Sequence, residues 1–392
     1  MKFLSRTVWI LSLVSLFTDM ASEMLYPVMP IYLKSIGFSV VLIGILEGIA
    51  EATAGLSKGY FGKLSDISAR RVSFVQWGYA LSALAKPLMV LFTSPWWIFL
   101  VRTTDRFGKG IRTGARDALL SAEATPQTKA KVFGFHRSMD TLGAVIGPLA
   151  ALVYLYFFPE DYVTLFILAF VPGFLAIFAS LKLSEKREIK SGKGSSVHFF
   201  SFLNYWSQSP LQYRQLVVGL LVFALFNSSD VFLLLQAKNI GMNDTQVIGL
   251  YIFYNLIYAL TSLPLGILAD KIGMKPIFIL GLLMFTLVYF GIGWSTQPMV
   301  LVGLFFLYGI YAAATEGISK AWITNLIPKD HTATAIGTFA AFQSICTLLA
   351  SSITGIIWFQ WGASAAFFTT ATATVLVVLY MLFAVKGVRG KV

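Results

Sequence analysis

Long apolar stretches separated by short polar ones run through this chain from end to end. Twelve can be delimited: 7–33, 39–61, 72–93, 96–120, 132–157, 162–183, 214–236, 246–269, 276–294, 298–326, 333–358 and 363–385. A helix needs about 20 residues to cross the hydrocarbon of a bilayer, and each stretch is near or above that length. Inside a bilayer the backbone must satisfy its own hydrogen bonds, so runs like these are expected as helices. The longest polar connection, 184–213, leaves six stretches on each side. The expected fold is therefore an all-α membrane protein with 12 transmembrane helices. The expected parts are an N-terminal six-helix bundle (1–184), a linker (185–213) and a C-terminal six-helix bundle (214–392). The stretches are called spans 1 to 12 below.

Charge supports this reading. Only 12% of residues are charged, against about 25% in soluble domains. The net charge of +12 invites a nucleic-acid partner, but Lys and Arg sit between apolar stretches and at the chain ends. That is the topology signal of membrane proteins, and no basic domain is left to hold nucleic acid. The loops carrying Arg70, Arg71, Lys129, Lys131, Lys186, Lys190, Lys271, Lys275 and Lys329 all fall on one side. The positive-inside rule places that side, with both termini, in the cytoplasm. The expected location is the cytoplasmic membrane, with the first span retained rather than cleaved as a signal peptide. One cysteine, Cys346, and three scattered histidines, His136, His198 and His331, give no disulfide framework and no metal cluster.

The halves repeat. Gly62-Lys-Leu-Ser-Asp66 matches Gly266-Ile-Leu-Ala-Asp270, and Lys34-Ser-Ile-Gly37 matches Lys238-Asn-Ile-Gly241, at the same offset of 204 residues. Parallel repeats of this kind build many secondary transporters. The repeated loops resemble the motif G-x-L-a-D-r-x-G-r-[RK] of the major facilitator superfamily, over essentially the whole chain. The copy at 62–71 has Ala69 where the motif has its second glycine; the copy at 266–275 keeps it as Gly273. Arg106-Phe-Gly-Lys-Gly110 is similar to the family's span-4 motif, with Lys109 in place of Gln. Gly143-Ala-Val-Ile-Gly147-Pro148 resembles the span-5 antiporter motif, although Ala150 and Ala151 follow in place of a glycine pair. Pro27-Val-Met-Pro30 is similar to a motif of the 12-span drug/proton antiporter branch. The resemblance implies two pseudo-symmetric bundles that work by alternating access, with the substrate bound near the midplane.

Gly62 and Gly266 are expected to let helix ends approach closely. Asp66 and Asp270 are expected to accept from the N-terminal N–H groups of a neighbouring helix. Asp66 could also pair with Arg70, Arg71 or Arg116. With Arg112 and Asp117 these residues form a candidate gate, and Gly143, Gly147 and Pro148 a helix-packing motif.

Ionisable groups deep in a bilayer are expensive and should face water, substrate or a partner. Thirteen of the eighteen acids precede residue 197, so the chemistry is expected to be asymmetric. Asp19 with Glu23, and Glu47 with Glu51, are spaced four apart and share helix faces. These four, with Asp105 and Asp140, are the candidate proton-coupling acids, because neighbouring carboxylates in low dielectric resist ionising together. Permanent pairing with Arg102, Arg106 and Arg137 is the alternative. His136 with Asp140 could form a relay or a structural hydrogen bond.

The candidate substrate contacts are Arg102, Arg106, Lys109 and Arg137 in the first half. Those in the second half are Asn227, Asp230, Tyr251, Tyr254, Asn255, Tyr258, Tyr308, Tyr311, Glu316 and Gln343. The repeat maps Glu47 onto Tyr251 and Glu51 onto Asn255. Carboxylates in one half thus face phenols and an amide in the other. No HExxH, GxSxG or phosphate-binding glycine loop is present, so no enzyme and no cofactor is expected. The expected function is a monomeric, proton-coupled exporter of small amphipathic compounds. The alternative is a carrier of an anionic or zwitterionic metabolite such as a siderophore, with direction open.

Overall fold

A computed structural model describes residues 4–185 and 198–385, apart from the side chains of residues 40, 41 and 244. Within these residues the chain is helical, and helices fill all twelve apolar stretches. Nine of them are long and apolar enough to cross a membrane, counted among the described residues. The helices of spans 2, 3 and 4 (Val40–Ser68, Arg71–Leu88 and Pro95–Ala122) are not among those nine. They carry Glu47, Glu51, Lys86 and the charged stripe of span 4. The exterior is apolar: Trp77, Trp96, Phe359 and Phe383 are all strongly exposed, while Arg112 and Asp117 are buried. Apolar groups outside and charges inside are what lipid as solvent selects.

The repeat extends to backbone detail. Span 2 occupies Val40–Ser68 and span 8 occupies Asp244–Ile272, each starting after a side-chain cap. Ser39 accepts from the N–H of Leu42, and Asn243, 204 residues on, accepts from that of Gln246. The turn before each cap also repeats. Gly37 and Gly241 have φ of 94° and 96°, a conformation that glycine adopts without steric penalty. Their N–H groups donate to Lys34 and Lys238 respectively.

Two spans expected to be continuous are interrupted. Span 1 is Arg6–Leu25 followed by Met29–Ser35, and span 7 is Leu211–Phe226 followed by Val231–Asn239. Pro27 lies within the first break and Pro30 in the first turn after it; a proline removes a helical N–H donor. Asn227, Ser228 and Ser229 occupy the second. These polar residues compete for backbone hydrogen bonds and weaken a helix from within.

The chain packs as two compact units that do not coincide with its two halves. One comprises Met1–Glu123, Met139–Gln208 and Pro328–Ala341; the other comprises Ala124–Ser138, Ser209–Ile327 and Phe342–Val392. Each unit therefore holds the start of one helix from the opposite half: span 11 in the first and span 5 in the second. In the first unit span 4 packs on spans 2 and 3, and span 6 on spans 1 and 3. In the second unit span 10 packs on spans 8 and 9, and span 12 on spans 7 and 9, the same scheme.

Candidate functional site

The span-4 stripe meets acids in the first unit. Arg102 donates through Nε to Glu47 Oε1 at 2.7 Å and through Nη2 to Glu47 Oε2 at 2.9 Å. Its Nη1 lies 3.3 Å from Asp105 Oδ2. Arg106 pairs with Glu51 at 3.1 Å and reaches Glu47 at 3.8 Å. Lys86 of span 3 stands 3.9 Å from Asp105 and donates to the carbonyl of Ser82. Beside them lies a cavity of about 40 Å³ lined by Glu23, Lys86, Arg102, Asp105 and Arg106, with Met29, Met89 and Phe166 as its apolar walls.

A second group lies where span 1 meets the later part of span 5. Gly143 and Gly147 press against the span-1 backbone. A Cβ on Gly143 would strike the carbonyl of Leu16, and one on Gly147 would lie 2.5 Å from that of Met20. At this crossing Asp19 and Asp140 are close enough to repel one another electrostatically. Ser15 donates to Asp140. Lys109 adds positive charge near Asp19 and Glu51.

The gate residues divide. Asp66 Oδ2 accepts from the N–H and hydroxyl of Thr334, at 2.7 and 2.8 Å, and Oδ1 accepts from Arg71 at 2.7 Å. Arg71 also donates to the carbonyl of Lys329. Asp66 thereby caps the first turn of span 11 (Thr332–Trp361). In the second unit Asp270 accepts from the N–H groups of Ala130 and Lys131, at 3.0 and 2.8 Å, and caps span 5 (Lys129–Phe157). Glycines allow the approach: a Cβ on Gly62 would strike the carbonyl of Ala333, and one on Gly266 that of Ala130. Arg112 and Arg116 lie elsewhere than at Asp66. Arg112 donates to Ser82 and stacks over Tyr79, 4.5 Å from the ring centre. Arg116 pairs with Asp117 at 2.9 Å and reaches Ser15. Both follow the helical register of span 4, which turns these side chains into the bundle rather than toward the span-2 loop. Arg70 precedes the span-3 helix and makes no side-chain cap there.

In the second unit Asp230, at the break in span 7, accepts from Tyr254 at 2.5 Å and Tyr308 at 2.7 Å. Asn227 donates to Tyr311 at 3.1 Å. Tyr251 packs edge-on to Tyr254, with ring centres 5.5 Å apart. Arg137 pairs with Glu316 at 2.8 Å and lies over Tyr258. An alternative partner for Arg137 was a first-half acid; the structure gives it Glu316 because residues 124–138 belong to the second unit. Asn255 spends one N–H on the carbonyl of Tyr251, a turn earlier on its own helix. Gln343 is partly exposed on span 11.

Participants missed from the sequence include Ser15, Tyr79, Ser82, Lys86 and Thr334. Lys86 had a signal, being a lone cation within an apolar stretch. The two serines had none, since serine is common in membrane helices.

The Major Facilitator Superfamily model matches residues 11–243 and 216–391. The chain belongs to the major facilitator superfamily. It is thus a multi-pass membrane transporter of small molecules rather than an enzyme. It is 33% identical to an uncharacterised MFS-type transporter of Methanocaldococcus jannaschii, over 91% of this chain and 89% of that one. It is 21% identical to a homologue of the multi-drug resistance efflux pump PmrA from Lactococcus lactis, over 88% of this chain and 87% of that one. Among solved structures, the human organic anion transporter MFSD10 (TETRAN) superposes with a TM-score of 0.83 at 17% identity, covering 96% of this chain and 99% of that one. At that identity the likeness concerns the fold alone.

Proposed function

We propose that this facilitator is a proton-coupled exporter of small amphipathic compounds. The observation that carries the reading is the closeness of the carboxyl groups of Asp19 and Asp140 where spans 1 and 5 cross. Two neighbouring carboxylates in low dielectric resist ionising together, so such a pair can carry a proton. The pair joins spans 1 and 5, where Gly143 and Gly147 bring the backbones together. A proton held between two helices can be lost or gained as their packing changes. The Asp66 and Asp270 caps act as latches that hold the cytoplasmic ends of spans 11 and 5 in one state of the cycle and release them in the other.

Substrate polarity follows from the stripe. Glu47, Glu51 and Asp105 neutralise Arg102, Arg106 and Lys86. This leaves less free positive charge for an anionic substrate than the bare sequence suggested and favours the amphipathic reading. Resemblance to an efflux pump homologue supports export. The loop charges support a cytoplasmic-membrane location with both termini inside, and the protein is read as a monomer.

The test is proteoliposome transport of ethidium, an amphipathic probe, under an imposed pH gradient. Ethidium should move against protons, and Asp19→Asn and Asp140→Asn should each abolish the dependence on the gradient. Flux that ignores the gradient, or survives both substitutions unchanged, overturns the proposal.

A further inference from the structure

In the first unit Glu47, Glu51, Asp66 and Asp105 pair with cations, whereas among the described residues Asp230 pairs with none. Among the described residues its bonded side-chain partners are the phenols of Tyr254 and Tyr308. Glu316, which pairs with Arg137, adds negative potential at Asp230. Asp230 also occupies the N-cap position of the half-helix Val231–Asn239, yet its side chain makes no cap bond. An aspartate there ordinarily accepts from the first turn of its own helix. Here the carboxylate is turned to the tyrosines instead.

The surroundings suit a positive guest. Both carboxylate oxygens already accept, one from each phenol, which is the pattern of an ionised group. A carboxylate has about four acceptor sites, so about two stay open. The half-helix Leu211–Phe226 ends at the break, and a helix C-terminus carries partial negative charge. The rings of Tyr254 and Tyr308 lie 5.3 Å apart, those of Tyr308 and Tyr311 5.2 Å, and all three residues are buried. Aromatic faces attract organic cations. A bare metal ion would need several oxygen ligands, and among the described residues no group of three or more His, Cys, Asp or Glu is placed to hold one.

We propose that the break in span 7 binds the ammonium nitrogen of a cationic amine: Asp230 accepts its N–H groups and Tyr254 and Tyr308 wall its organic body. This deepens the export reading by naming a substrate class, and it rests on that reading only for the direction of transport. In the first half, Tyr26 occupies the position 204 residues before Asp230. The repeat has therefore kept the break and changed its chemistry, so the amine site belongs to the second unit.

The test is equilibrium binding of radiolabelled phenethylammonium to the full chain in nanodiscs at neutral pH, with neutral 2-phenylethanol as the control. No gradient is present, so the result is independent of proton coupling. Binding should weaken at least ten-fold in Asp230→Asn and recover substantially in Asp230→Glu. Tyr254→Phe with Tyr308→Phe should weaken it less than Asp230→Asn. The control should bind more weakly than the amine and should not respond to Asp230→Asn. Equal binding by Asp230→Asn and the parent overturns the proposal. So does equal binding of amine and alcohol, or no amine binding to the parent at millimolar concentration.

Discussion

Glu47 holds Arg102 in a two-bond fork, with Nε and Nη2 each within 2.9 Å of a carboxylate oxygen. The fork ties span 2 to span 4 inside the membrane. Arg102 is only 8% exposed, so it cannot fall back on bulk water if the acid is lost. Glu47→Gln is expected to destabilise the protein by about 2 kcal/mol, less than a fully buried pair would cost because Glu47 is partly exposed. Arg102→Gln in the same background should recover part of the loss. A double-mutant cycle read by thermal unfolding in detergent measures the coupling; additive effects would deny the fork an energetic role.

Asp66→Asn keeps an acceptor for Thr334 but loses the ion pair with Arg71. Expression is expected to persist while transport falls by about ten-fold, the factor that corresponds to about 1.4 kcal/mol. Thr334→Val should lose less, since the backbone bond survives. Proteoliposome flux normalised to folded protein reads both, and unchanged flux in Asp66→Asn would rule out the latch.

Ala69 has φ of 51°, and Gly273 at the equivalent turn has φ of 105°. A side chain in the left-handed region costs about 1–2 kcal/mol, part of which glycine returns through its greater freedom when unfolded. Ala69→Gly is expected to stabilise the fold by about 0.5–1 kcal/mol, and Gly273→Ala to destabilise it. Paired melting curves check the opposite signs.

Phe202, in the linker turn Phe199–Asn204, is 1% exposed and lies against Gly59 of span 2. Lys63 donates to the carbonyl of Ser201, and the hydroxyl of Thr338 on span 11 to that of Phe202. The turn thus touches both helices of the Asp66 latch. Phe202→Ala should cost about 3 kcal/mol. A melting temperature equal to the parent's would show that the linker is a passive tether.

Much of this was legible in the sequence, because the bilayer imposes long apolar helices and a duplication leaves a constant offset. Asp66 and Asp270 as acceptors for helix N-termini followed from a short motif and the helix dipole. What stayed hidden was partnership at long range. Thr334 is 268 residues from Asp66, and nothing local to either residue names the other. The span-4 stripe identified a charged face, but only packing could send Arg102 and Arg106 to acids and Arg112 to a tyrosine ring. The break in span 7 was obscured because Asn227, Ser228 and Ser229 are polar without being helix-forbidding.

The exchange of helix starts between the units bears on how such a chain could have arisen. A single ancestral half would carry Asp66 or Asp270 without the foreign helix end that each caps. It would find that end only in a second copy of itself. A duplication joining two such halves would fuse an obligate pair rather than two self-sufficient modules. Separately expressed halves should accordingly regain function together and neither should fold well alone.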